Sequence, residues 1–135
     1  MPVSSRESYL VRQVMDATPH KLQQMLIGTA IRFVERAQQR YRRGEQESAV
    51  RAAARAQQLV GEMLGLLDNQ LPPEVTRDAA ATYLAAFRAL SDVCRTADHQ
   101  RVFDTLALLK HQQQVWEEGV TASAPAAPFF AKFGR

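Results

Sequence analysis

A threonine-proline step, followed by small and apolar residues spaced three and four apart, commits the front of this chain to one long amphipathic helix. The hydroxyl of Thr18 suits an N-cap, where it accepts a bond from a backbone N–H that has no helical partner. Pro19 suits the first helical position, since the N–H it lacks is one the helix leaves unpaired anyway. Leu22, Met25, Leu26, Thr29, Ala30, Phe33, Val34, Ala37 and Tyr41 then form a single stripe. Ahead of the start lies an apolar arm with Tyr9, Leu10, Val11 and Val14.

Three more segments repeat the helical pattern. The first helix is expected over Pro19 to Arg43, with Gly44 as its left-handed stop. A second runs from near Glu45 to Leu67 or Asp68, with Ala49, Ala52, Ala53, Ala56, Leu59, Val60, Met63, Leu64 and Leu67 on its stripe. Gly61 and Gly65 interrupt it, each costing on the order of 1 kcal/mol of propensity relative to alanine. Either they permit close helix packing, or they leave a shallow surface for another backbone. Pro72-Pro73 breaks the chain. A third helix follows from Pro73 or Glu74 to about Thr96, with Val75, Ala79, Ala80, Tyr83, Leu84, Phe87, Leu90, Val93 and Cys94 inward. Asp98 caps a fourth, with Val102, Phe103, Leu106, Leu109, Gln113 and Trp116 inward, fading at Glu118-Gly119.

No strand-like alternation occurs. The chain therefore reads as all-α, an antiparallel four-helix bundle with a short N-terminal arm or helix and a flexible C-terminal tail. The expected division is arm 1–17, bundle 18–119 and disordered tail 120–135. Prolines and small residues argue against a packed element in that tail. Phe129, Phe130 and Phe133 are unusual there.

With 135 residues and 46% apolar content, much of it alanine, one domain with a thin core is expected. The formal charge of +3 is only mildly basic. Cys94 is the only cysteine, so neither an internal disulfide nor a cysteine metal cluster can form. No secretory signal is evident, and no apolar run reaches the roughly 20 residues of a membrane span, so no membrane insertion is expected.

Chemistry is hard to assemble from these residues. His20, His99 and His111 fall near helix starts or on outer faces, without inward ligand partners. Phosphate-loop patterns are absent. Cys94 lies on an apolar stripe without a basic cluster to activate it, and is read as an inert buried thiol. Arg32, Arg36, Arg40 and Arg43 line one face of the first helix, and Arg51 and Arg55 one face of the second. Interspersed acids and the lack of interleaved aromatics make this a solvated, partly ion-paired face rather than a nucleic-acid track. The bottom-up reading is a non-enzymatic module, without cofactor or metal, that binds a helix or extended apolar peptide in a groove.

The same residues resemble the FliS family of flagellar secretion chaperones. Its opening pattern stands here as Tyr9, Val14, Ala17-Thr18-Pro19-His20-Lys21-Leu22 and Met25-Leu26, followed by Ala30-Ile31-Arg32-Phe33. Ala56-Gln57, Leu67-Asp68, Glu74-Val75, Tyr83, Arg88 with Leu90, Leu108-Leu109 and Trp116 continue it without a gap from Tyr9 to Glu118. The chain departs at Ile27-Gly28-Thr29, Pro72-Pro73, Val93-Cys94 and Ala89, which bear on the groove and on the partner's sequence rather than on the bundle.

The resemblance implies a cytoplasmic chaperone that uses no ATP. It would bind the C-terminal segment of flagellin, prevent premature polymerisation and deliver the subunit to the export gate of the flagellar type III secretion apparatus. Tyr9, Val14, Lys21, Leu22, Ala56, Gln57, Val60, Leu64, Tyr83 and Arg88 are the expected groove residues. The arm would cover the empty groove. A helical adaptor for another export or regulatory protein is the alternative. No nucleic acid is expected as a partner, and self-association is left open.

Overall fold

The computed structural model describes residues 18–67, 71–96 and 98–121, with side chains to 118. Four helices make up the fold: α1 (Pro19–Arg42), α2 (Gln46–Gly65), α3 (Pro73–Thr96) and α4 (His99–Thr121). Each packs against its neighbours in sequence, and α4 closes back on α1, giving an antiparallel four-helix bundle. The arm and the tail beyond Thr121 lie outside the described residues.

The helix ends follow local chemistry. Thr18 Oγ1 accepts the Lys21 N–H at 3.1 Å, and Pro19 follows it. Gly44 has φ +77°, the left-handed conformation that a Cβ disfavours, and so ends α1 within a tight turn. α2 stops at Gly65 rather than at Leu67 or Asp68, with the Leu66 N–H bonding back to Glu62 and Met63. Asp98 Oδ1 accepts the Gln100 N–H at 3.0 Å at the head of α4. α4 runs on past Glu118 to Thr121.

The core is lined by small side chains on α1, α2 and α3. Ala30, Ala37, Ala49, Ala53, Ala56, Ala79 and Ala86 are fully buried. Larger groups, Trp116, Tyr83, Ile27, Met63, Leu90 and Leu109, fill the remaining space.

Three of the expected stripes are rotated. On α1, Gln23, Ile27 and Ile31 are buried, whereas Leu22, Met25, Leu26, Thr29 and Phe33 are half-buried. α1 lies between α2 and α4, so its inward face is broader than the expected stripe and centred to one side of it. On α4 the buried residues are Val102, Thr105, Leu109, Gln112 and Trp116. That alternating three-four spacing is the narrow seam of coiled coils, and it leaves Phe103 52% exposed. Thr105 fits the seam because its hydroxyl donates to the Arg101 carbonyl at 2.7 Å. On α3, Ala86 and Ala89 are buried while Leu84 and Phe87 are exposed.

A buried hydrogen-bond relay joins all four helices. Trp116 Nε1 of α4 donates to Tyr83 Oη of α3 at 2.8 Å. Tyr83 Oη donates to Gln23 Oε1 of α1 at 2.7 Å. Gln23 Nε2 donates to the Met63 carbonyl of α2 at 2.9 Å. Met63 lies in the last turn of α2, where carbonyls run out of i+4 partners, so Gln23 also serves as a tertiary cap. His20 docks beside the relay, bonded to the Trp116 carbonyl and edge-on to the indole at 5.1 Å. At the opposite end Tyr41 stacks on His99 with ring centroids 4.1 Å apart.

Burial holds the Tyr83 hydroxyl well above the usual tyrosine value of 10.0, against the lowering effect of the Trp116 hydrogen bond. Unfolded tyrosine ionises near that value while folded Tyr83 stays protonated, so its contribution is intact below about pH 10 and is lost above it. Tyr83→Phe should cost about 1–3 kcal/mol at neutral pH, because the Trp116 N–H and the Gln23 carbonyl lose their partner. It should also shrink the alkaline loss of stability. Urea titrations at neutral and alkaline pH measure both, and an unshifted neutral midpoint contradicts the relay.

Candidate functional site

Four large hydrophobic side chains are exposed among the described residues: Leu66 after α2, Leu84 and Phe87 on α3, and Phe103 on α4. Alanines on one flank of α3 turn inward, and the larger residues of the other flank are left at the α2 edge. Leu84 is 41% and Phe87 37% exposed. Opposite them on α2 stand Gln57, Gly61 and Leu64, spaced four and three apart on one side of the helix. Gln57 Nε2 donates to the Phe87 carbonyl at 3.4 Å, which sets the register of the two helices. Arg88 is exposed beside Phe87 and places a charge at the rim.

The glycines of α2 acquire a meaning here. A methyl group at Gly61 would meet Phe87 Cε2 at 3.5 Å, an ordinary contact, and one at Gly65 would meet nothing within 4 Å. Neither glycine is needed for the bundle to close. What Gly61 does provide is a low point of the backbone beside the exposed Phe87 ring.

The expected groove residues separate into layers. Gln57, Leu64 and Arg88 reach the α2–α3 face or its rim. Ala56, Val60 and Tyr83 are fully buried beneath it, and Tyr83 belongs to the relay. Lys21 is exposed and Leu22 half-buried at the start of α1, which packs on α2 and α4 rather than on α3. Tyr9 and Val14 lie outside the described residues. Leu84 and Phe87, like Phe103 on α4, were expected in the core and are exposed. The available signal was the width of the α3 stripe: with Ala86 and Ala89 also apolar, more of the helix is apolar than two neighbours cover.

No group of three or more His, Cys, Asp or Glu residues fit to hold a metal ion exists among the described residues. Cys94 is half-buried, and burial pushes its thiol above the usual 9.0, so thiolate is scarce at neutral pH. Of the arginines, Arg40 pairs with Glu45 at 3.8 Å, and Arg32 bonds Thr29. Exposed ion pairs fasten α4 to its neighbours: Lys110–Glu35 at 3.6 Å and Arg101–Asp92 at 3.7 Å, each worth under about 1 kcal/mol. No helix among the described residues is long and apolar enough to cross a membrane.

Gly61→Ala tests the reading of α2. It should stabilise the bundle by up to about 1 kcal/mol, since helix propensity improves and the methyl fits. A lowered denaturation midpoint would mean that the helices need glycine to pack.

Residues 3–123 match the family described as "FliS: Flagellar protein FliS", a span that extends beyond Tyr9–Glu118 at both ends. No curated protein matches the chain significantly. The chain belongs to the FliS family, chaperones of flagellum biogenesis.

Proposed function

We propose that this chaperone binds the C-terminal segment of flagellin along the α2–α3 face. Doing so in the cytoplasm, it would prevent premature polymerisation and deliver the subunit to the export gate of the flagellar type III secretion apparatus. The observation that carries the reading is the exposure of Leu84 and Phe87 beside the low backbone at Gly61. Such a face suits an amphipathic segment that folds as it binds, losing part of its interaction energy to ordering. The chaperone acts by occupancy, without covalent chemistry or nucleotide.

In this reading the ten residues have three roles. Gln57, Leu64 and Arg88, joined by Leu84 and Phe87, touch the client. Ala56, Val60 and Tyr83 hold the two helices at the spacing the client requires. Lys21 and Leu22 anchor the arm, whose Tyr9 and Val14 cover the apolar face until the client displaces them. Exposed apolar surface invites association, so a cover is of use to an empty chaperone.

Three outcomes are expected. Phe87→Asp should leave the helical signal intact and weaken binding of full-length flagellin about tenfold or more, since a carboxylate is set against an apolar partner. Flagellin lacking its C-terminal segment should not bind; equal binding of both flagellins removes the proposal. Deleting residues 1–17 should preserve the bundle and raise binding of an apolar dye, and unchanged dye binding would rule out the cover.

A further inference from the structure

The arginine stripes meet in a feature that lies outside the face proposed for flagellin. On the α1–α2 side of the bundle, Phe33, Arg36, Arg40, Ser48, Arg51 and Arg55 line a shallow hollow of about 260 Å³. Arg40 is partly neutralised by Glu45 and donates to Ser48 Oγ. Arg36 lies over the Phe33 ring, 4.9 Å from its centroid. Arg55 bonds Gln58 at 3.1 Å. Among the described residues no carboxylate pairs with Arg36, Arg51 or Arg55.

Gathering like charges around one concavity is unfavourable until an anion enters. The guanidinium fork then offers paired donors that match a carboxylate. Arg36 and Arg40 are one helical turn apart, as are Arg51 and Arg55, a separation of about 6 Å along each helix. Carboxylates two residues apart on an extended chain are separated by nearly the same distance, about 6.6 Å. Ring and alanine atoms on the floor, from Phe33 and Ala52, can receive a small apolar residue between them.

We propose that this hollow docks an acidic peptide segment of a partner protein, one with carboxylates at alternate positions. It lies on the opposite flank of α2 from Gly61 and Phe87, so one chaperone can hold a client and an acidic partner together. Two observations favour a peptide over nucleic acid. The cationic strip is short: Glu45 pairs with Arg40 at one end, and Glu47 shares the adjoining hollow with Arg51, so few phosphates could be followed. Its one aromatic ring is already paired with Arg36 on one face, and one ring alone makes no run of platforms for successive bases.

The probe is a fluorescent peptide of alternating Asp and Ala, with the Asn-Ala peptide and a single-stranded DNA oligonucleotide as comparisons. Fluorescence anisotropy with the full chain at low salt should show binding of the Asp peptide alone, weakening as salt is added. Arg51→Gln with Arg55→Gln should weaken it about tenfold or more, while Arg77→Gln on exposed α3 should not. Glutamine keeps the helix propensity of arginine, so the double variant should keep its helical signal. Flagellin binding should be unchanged in that variant, which separates this inference from the proposed function. Absence of Asp-peptide binding, equal binding of the Asn peptide, indifference to the double substitution, or preference for the oligonucleotide would each overturn it.

Discussion

The relay from Trp116 through Tyr83 and Gln23 to the Met63 carbonyl fixes the bundle. Apolar packing alone is poorly directional, and alanine-rich helices can slide and rotate against one another with little change in buried area. A buried chain of hydrogen bonds does not permit this, because leaving any member unpaired costs about 1–3 kcal/mol. The three bonds, at 2.8, 2.7 and 2.9 Å, take one group from each helix. They set the rotation of α1, α3 and α4 and the height of α2 at once. Gln23 orients the relay, since its amide must present oxygen to Tyr83 and nitrogen to Met63.

Once rotation is fixed, the placement of large and small side chains follows. The inward faces of α2 and α3 are largely alanine, and the room left beside it is taken by Met63, Tyr83 and Leu90. Further phenylalanine and leucine side chains are therefore displaced to the margins, as Leu84 and Phe87 are on α3 and Phe103 on α4. A protein selected only for stability would tend to make such positions polar. Phe87 stays beside Gly61, a glycine that the packing of the bundle does not require, and this is the face proposed for the client.

Much of the fold was legible in the sequence because its signals are local. Thr18-Pro19, Gly44, Pro72-Pro73 and Asp98 mark helix boundaries through caps and backbone restrictions that need no tertiary knowledge. The joint spacing from Tyr9 to Glu118 pointed to the family that the match over residues 3–123 shows. Rotation of the helices was not legible. Gln23, Thr105 and Gln112 look polar in sequence and are buried because hydrogen bonds or seam geometry admit them. Tyr83 read equally well as core or groove, and only its partners assign it to the relay. The face itself emerged from a misfit, an apolar stripe on α3 wider than its neighbours can cover.

The two flanks of α2 thus differ in chemistry, apolar toward α3 and cationic toward α1, while the relay keeps the frame rigid beneath both. The central claim is that a client covers the α2–α3 face without opening the core. Methyl NMR during titration with the flagellin C-terminal peptide tests it most directly. The Leu64 and Leu84 methyl signals should move strongly, while the Trp116 indole N–H and the Leu109 methyls stay in place. Stationary Leu64 and Leu84 signals, or loss of the indole resonance as peptide is added, would contradict the account.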